Sequence, residues 1–279
     1  FDPEISVSSG YTTIYLQTGY VRNTGLELSL GYGHTWNNNF RWDSNFTLSH
    51  NKNKIKELVR DYVHPETGEL INKDRLDVGG LGKARFILKE GGTLGDLYTQ
   101  SDLKRDDNGM VDIDPTGIVA IENNLPDIKL GSVFPKANLA WSNHFSWKGI
   151  SLSALFTARI GGIVYSATEA AMDQYGVSER SALARDNGGV LVNNRTLVDA
   201  QNYYTTIGSE SGLPQYYTYN ATNVRLQEAS IGYLIPRKWL GNVCDIQVSV
   251  IGRNLWMIYN KAPFDPESVA TTDNYYQGI

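Results

Sequence analysis

The sequence predicts an all-β chain that forms part of a large antiparallel transmembrane β-barrel with long loops. Three observations lead to this prediction. Apolar and polar residues alternate with a period of two, the alternating segments are long, and tight turns alternate with long polar excursions. Successive side chains of a strand point to opposite faces, so the alternation predicts strands with one apolar and one polar face.

The first predicted hairpin joins segments 25–32 and 40–49. In both segments apolar residues recur at the even positions, and the second carries heavier aromatic side chains. Segment 34–39 between them is rich in asparagine, which tolerates the positive φ of a tight turn. In a barrel wall, one set of side chains would face the lumen and the other would face lipid. The expected lumen set is Arg41, Asp43 and Asn45, and the expected lipid set is Phe40, Trp42, Phe46 and Leu48.

Two further hairpins are predicted over 137–159 and 223–256. Strands of soluble proteins usually have about five or six residues, whereas a tilted strand needs about 9–11 to cross a bilayer. The longer segments and the aromatic residues near their ends are typical of a membrane barrel. A large soluble β-sandwich with aromatic core residues would give a similar pattern, so the periodicity alone leaves both folds open.

Two long polar stretches, 57–130 and 163–220, separate the hairpins. Compact soluble domains rarely carry connections of this length without a function. Outer-membrane barrels have short turns on one side and long loops on the other, and the same asymmetry is present here. We therefore expect these stretches to be extracellular loops.

Composition excludes several other classes of protein. The net charge of −5 and the absence of a strong Lys/Arg cluster argue against nucleic-acid binding. Cys244 is the single cysteine, which excludes an intrachain disulfide, and we expect it to pack as a small apolar residue. No apolar run is long enough for a transmembrane helix, but barrel strands give a much weaker hydropathy pattern.

The motifs for catalysis or metal binding are weak. Segment 106–114 resembles a calcium loop around Gly109, but Lys104 and Pro115 occupy its first and last ligand positions, so an Asn-Gly turn is the better interpretation. The four histidines show no ligand spacing, and nucleophile elbows and phosphate loops are missing. We expect no enzymatic activity, no metal and no cofactor. A pair of carboxylates acting as in a glycosidase stays open as an alternative.

Tyrosines in the second long stretch are the candidate substrate contacts. Aromatic rings beside Asn and Asp can stack on sugar rings while the polar groups bond to hydroxyls. The same rings could fill the interior of a folded loop, which is the simpler role for any single tyrosine. The candidates are Tyr203, Tyr204, Tyr216, Tyr217 and Tyr219.

Several ordered segments resemble SusC-like TonB-dependent transporters, the outer-membrane nutrient importers of Bacteroidetes-type bacteria. The family-like positions lie in strand starts, strand ends and a Pro-bounded acidic turn. They are Gly25 and Glu27, Pro135 and Lys136, Arg225 and Leu226, Pro236, Arg253-Asn254-Leu255, and Asp265-Pro266-Glu267. Ser132 stands where the family usually has Asn. Each match is weak alone, but their order across nearly the whole chain is specific.

The resemblance implies that residues 1–279 are the C-terminal portion of such a barrel. The plug domain, the TonB-contacting segment and the final closing strand are expected outside this chain. The resemblance also implies a SusD-like surface lipoprotein as partner, energy supplied by a TonB–ExbB–ExbD complex, outer-membrane lipid around the barrel, and a glycan or peptide substrate. The alternatives are a soluble carbohydrate-binding β-sandwich module and an all-β glycoside hydrolase.

Overall fold

The computed structural model describes residues 19–64 and 67–267, so the ends of the predicted portion 1–279 lie outside the described residues. Antiparallel strands dominate, which confirms the β class. The strands are β1 (Tyr20–Thr35), β2 (Arg41–Glu57), β3 (Val59–Val63), β4 (Leu70–Lys73), β5 (Arg75–Leu81), β6 (Ala84–Lys89), β7 (Asp96–Thr99), β8 (Asp102–Leu103), β9 (Ile121–Glu122), β10 (Ile128–Ser132), β11 (Ala137–Trp147), β12 (Ile150–Ile160), β13 (Ile163–Tyr165), β14 (Val190–Val192), β15 (Thr196–Val198), β16 (Thr218–Asn220), β17 (Asn223–Ile235) and β18 (Ile246–Asn260).

The helices are short and lie between β13 and β16. They are α1 (Ala167–Gln174), α2 (Glu179–Asp186), α3 (Ala200–Gly208) and α4 (Pro214–Tyr217). Ser166, Ser178 and Asp199 cap the first three, each accepting a hydrogen bond from a backbone N–H of the first turn. None of the helices in the described ranges is long and apolar enough to span a membrane.

Six long strands form one antiparallel sheet, which we call the wall sheet, in the order β1-β2-β11-β12-β17-β18. Neighbours in the sheet are also consecutive among these strands, as in an up-and-down meander. The three predicted hairpins are therefore confirmed. Their turns use residues with positive φ, namely Asn39 (59°), Lys148 with Gly149 (47° and 90°), and Gly241 with Asn242 (64° and 60°).

The connections 36–40, 148–149 and 236–245 lie at one end of the wall sheet, because each joins two neighbouring antiparallel strands. The last is longer than a tight turn, and Cys244 within it is exposed, so the prediction that this cysteine packs as a small apolar residue is wrong. The long connections 58–136 and 161–222 leave from the opposite end. This distribution matches the predicted asymmetry of short turns and long loops. The wall strands have 11 to 17 residues, which is long enough to cross a bilayer at a tilt.

The described residues of the two long connections, 58–64, 67–136 and 161–222, fold together into what we call the loop module. It contains a four-stranded sheet in the order β10-β7-β6-β5, small hairpins and all four helices. Its buried core draws on both connections, with side chains from Leu97, Leu103 and Val119 in the first and Tyr165, Ile207 and Leu213 in the second. The loop module thus has a hydrophobic core of its own.

The segment predicted as an Asn-Gly turn is a turn in the structure. The Asp106 carboxylate accepts hydrogen bonds from the backbone N–H groups of Asn108 and Met110, both at 2.9 Å. Gly109 takes the positive φ of 78°. Because this carboxylate is bonded to its own turn, its pKa is lowered from the ordinary value.

Candidate functional site

One face of the wall sheet is apolar across all six strands. Residues directly opposite each other in antiparallel strands share a face, so the register identifies rows of neighbours. One row contains Leu30, Phe46, Trp141, Phe156, Leu226 and Trp256, and a second contains Trp42, Phe145, Leu152, Ile231 and Val250. Leu30 is 58% exposed and Val250 is 69% exposed. This face is a broad apolar surface uncovered by any other described residue of the chain.

Two polar side chains within the apolar face accept hydrogen bonds from tryptophans. The Trp42 indole N–H donates to Asn143 Oδ1 at 3.1 Å, and the Trp141 indole N–H donates to Ser44 Oγ at 2.9 Å. Asn143 is buried beneath these rings. A polar group on an apolar surface is costly without a partner, and each of these two acceptor atoms has one.

The opposite face of the wall sheet is polar. Arg41, Asp43 and Asn45 lie on it, whereas Trp42, Phe46 and Leu48 lie on the apolar face with the ring of Phe40, which stacks on Phe145 at 6.2 Å. The predicted separation of these residues into two sets is thus present in the structure. On the polar face, the Arg41 guanidinium donates to both carboxylate oxygens of Asp43, at 2.6 and 2.7 Å.

Paired bulges bend the polar face near the loop end. Gln227 and Asn254 lie at register shifts in β17 and β18, and Asn254 has a positive φ of 51°. The Gln227 amide donates to Asn254 Oδ1 at 2.7 Å, and next to it Arg253 Nε donates to Glu228 Oε2 at 3.0 Å. The polar atoms of the bulges therefore bond across the two strands.

After β18 the chain folds back over the polar face, and we call residues 261–267 the strap. The buried Arg225 guanidinium donates to Asp265 at 2.6 and 3.2 Å and lies 3.3 Å from Glu267. Asn223 Nδ2 also donates to Glu267 Oε1 at 3.1 Å. An Arg–carboxylate fork of this kind fixes geometry as well as charge, so the strap is held against β17.

The strap also contacts the loop module. Phe264 packs edge-on against Tyr219 with ring centroids 5.6 Å apart, and Ala262 is buried against Val164 and Ala221. Asn260 Nδ2 donates to the Phe264 carbonyl at 2.5 Å. The strap therefore joins the wall sheet to the loop module at the rim of the polar face.

The remaining family-like positions lie at strand ends and turns. Gly25 allows a close approach of strands, because a Cβ there would lie 2.7 Å from the His50 carbonyl oxygen. That histidine ring bonds to the carbonyl of Lys136, which follows Pro135 just before β11. The other positions are Glu27 on the polar face, Leu226 on the apolar face, Pro236 after β17, the exposed Leu255 in β18, and the buried Pro266 in the strap.

The candidate tyrosines are packed in the loop module to different depths. Tyr217 is fully buried; its hydroxyl donates to Asp173 Oδ2 at 2.9 Å, and Arg180 lies 4.9 Å from its ring. Burial raises the pKa of the Tyr217 phenol well above its ordinary value. No face of Tyr217 is open to a substrate, so its position corresponds to the packing alternative.

The other four tyrosines are half-buried. Tyr203, Tyr204 and Tyr216 pack against the loop-module core, and the rings of Tyr203 and Tyr204 meet edge-on at 5.5 Å. Burial also raises the pKa of Tyr203. The five candidates therefore do not form a single exposed aromatic platform.

Sequence reasoning did not single out Arg159 or Asn223 as functional residues. Both lie on the polar face near the loop end, directly opposite each other in β12 and β17. The alternation of side chains along each strand places both residues on the polar face. Their proximity, however, depends on the register between β12 and β17, which are separated in sequence by the second long connection.

Comparisons with known proteins agree with this geometry. No family model matches the chain. TonB-dependent receptor P3 of Formosa agariphila is 25% identical over 292 residues, covering 95% of this chain and 27% of the relative. TonB-dependent receptor P26 of the same organism is 27% identical over 181 residues, covering 59% of this chain and 17% of the relative. The chain is thus similar in sequence to proteins named as TonB-dependent receptors.

Solved structures show the same fold. The structure of the RagAB peptide transporter matches with a TM-score of 0.60 and 17% identity, covering 97% of this chain and 28% of the other. The RagAB peptide importer in the "open-open" state gives a TM-score of 0.56 at 18% identity, covering 98% and 28%. The chain thus spans about a quarter of the length of TonB-dependent receptor P3 and of these RagAB chains. These names describe receptors and transporters rather than enzymes.

Proposed function

We propose that this chain forms part of the wall of an outer-membrane β-barrel that imports nutrients in a TonB-dependent manner. The observation that carries the proposal is the two-faced wall sheet. Its apolar face is exposed across six strands, while its polar face carries ion pairs, amides and hydroxyls. In this arrangement lipid contacts the apolar face and the lumen lies on the polar side.

The height of the apolar face suits a bilayer. From Leu26 to His34, β1 covers roughly 26 Å along the strand at about 3.3 Å per residue. At a tilt of about 40°, this gives a height of roughly 20 Å, close to the ~25 Å apolar band of outer-membrane barrels. A soluble β-sandwich would pack a second sheet on this face, and no described strand of the chain covers it.

The proposed partners follow from the relatives and the resemblance. Segments outside this chain complete the barrel, supply the plug and contact the TonB–ExbB–ExbD complex. A SusD-like surface lipoprotein covers the loop side, where the loop module lies. The substrate is an oligosaccharide or a peptide, with an oligosaccharide as the default.

Site-directed spin labelling in outer-membrane preparations tests the proposal. Labels at Phe46 and Leu48 should be accessible to oxygen dissolved in lipid, while labels at Asp43 and Asn45 should be accessible to a water-soluble relaxation agent. Fractionation should place the protein in the outer membrane together with a lipoprotein. Lipid-type accessibility at Asp43 and Asn45, or recovery of the protein in a soluble fraction, would contradict the proposal.

A further inference from the structure

A row of polar residues crosses the polar face at its loop end. Glu27, Ser49, Asn138, Arg159 and Asn223 lie directly opposite one another on successive strands β1, β2, β11, β12 and β17. With neighbouring strands about 4.8 Å apart, the row is roughly 19 Å long. It therefore offers carboxylate, hydroxyl, amide and guanidinium groups along one line.

Arg159 has unused hydrogen-bonding capacity in this row. Its Nη2 donates to the Val133 carbonyl at 2.6 Å, but its Nε is buried and has no hydrogen-bond partner among the described residues. Within the described part of the chain, no carboxylate lies within 4.0 Å of its guanidinium. The charge of Glu267 acts on Arg159 from farther away, but that carboxylate is already bound to Arg225 at 3.3 Å. The buried Nε cannot be reached from outside, but Nη1 is not buried and makes no hydrogen bond to a described residue, so an acceptor brought by a ligand would bond there.

A groove follows the polar row. A hollow of about 690 Å³ is lined by Ser49, Asn138 and Arg159. The carboxylates of Glu27 and Glu267 also line it, and Glu267 is paired with Arg225. An adjoining hollow of about 230 Å³ shares Ser49 and Asn138 and adds the amide of Asn51 and the ring of Phe134, which is 44% exposed. Amides and a hydroxyl beside an open aromatic ring suit a polar chain molecule that also presents an apolar surface.

We propose that Arg159, with Asn138 and Ser49, forms a subsite for the carboxylate group of an imported nutrient. The guanidinium supplies a charge-assisted hydrogen bond, while the amide and hydroxyl bond to neighbouring polar groups of the same molecule. This inference rests on the proposed import function and narrows its substrate to acidic molecules. The carboxylate could belong to an acidic sugar or to an acidic peptide, since both present the same group to Arg159.

Binding measurements on the complete, detergent-extracted protein test this subsite. The probes are a galacturonic acid trimer and the galactose trimer, and a Glu-containing tripeptide and its Gln counterpart. R159Q should weaken binding of the acidic member of one pair about tenfold and change its neutral counterpart less than twofold, because one charge-assisted bond is lost. R159K should retain most of the preference for the acidic probe. The pair that responds identifies the source of the carboxylate.

R195Q is the matched control, because it removes the same charge from an exposed loop arginine outside the groove. It should leave binding of all four probes unchanged. An equal loss for acidic and neutral probes in R159Q would show that Arg159 only supports the Val133 carbonyl, and the subsite would be overturned. An unchanged acidic preference in R159Q would overturn it as well. The outer-membrane location and the spin-label accessibility test the import function separately. If they hold and R159Q leaves the acidic preference unaltered, only the subsite fails; if they do not hold, the import function fails together with the subsite.

Discussion

The wall sheet and the loop module bury their apolar residues in opposite ways. In the loop module, Ile207, Leu213 and Tyr217 are almost completely buried in a core shared by its two connections. In the wall sheet, Leu30 and Val250 are more than half exposed on a continuous apolar face. The two regions of the chain thus differ in how they bury apolar side chains, and the proposed membrane location accounts for the difference, because the loop module would meet water and the wall sheet lipid.

The difference shows what stabilises each region. The loop module gains stability from removing apolar side chains from water, as any soluble domain does. The wall sheet keeps its backbone groups bonded between strands and leaves its apolar side chains on the surface, so its stability depends on the solvent around it. Matched substitutions in the two regions therefore test whether their stability has these two different sources.

The largest effect is expected in the loop-module core. Leu213→Ala removes a side chain that is fully buried, and it should lower the free energy of unfolding of the loop module by about 2–5 kcal/mol. Resistance of the loop module to protease added to intact cells provides the measurement. Leu191→Ala is the control, because Leu191 is 56% exposed and should change stability by less than about 0.5 kcal/mol. Equal effects of the two variants would show that the module lacks a dry core.

A somewhat smaller effect is expected on the apolar face of the wall sheet. Leu30→Arg places a charge near the middle of the proposed lipid-facing surface and should cost about 2–4 kcal/mol in a bilayer. Its neighbour Ser29 points to the polar face, where Ser29→Arg should cost less than about 1 kcal/mol. The free energy of unfolding in lipid vesicles measures both variants. A similar cost for both would refute the assignment of one face to lipid.

The faces of the wall sheet could be predicted from sequence because they depend on local alternation. Asp43 and Phe46 lie on opposite faces because one position is odd and the other is even. Asn39 and Gly149 adopt positive φ in the predicted turns. Adjacent residues in the loop module show the limit of this reasoning. Tyr216 is half-buried and Tyr217 fully buried, and the difference depends on contacts with distant Asp173.

The cluster of polar residues around Arg225 and Arg159 near the loop end could not be predicted from sequence for a similar reason. Arg225 and Asp265 are 40 positions apart, and their pairing requires the strap to fold back over the sheet. The environment of Arg159 likewise depends on strand register rather than on its neighbours in the chain. Family resemblance marked Arg225 and Asp265 as positions of interest, but only the three-dimensional arrangement shows that they bind each other.

The smallest effect concerns the polar groups held within the apolar face. Trp42→Phe keeps the ring but removes the indole N–H, leaving the buried Asn143 Oδ1 without this donor. We expect a loss of about 1 kcal/mol, measured by denaturant unfolding in lipid vesicles, because an acceptor in an apolar environment is left unpaired. Adding Asn143→Leu to Trp42→Phe should restore most of the loss, since the unpaired group is then gone. If the losses of the two single variants simply added in the double variant, the indole N–H would not be satisfying Asn143.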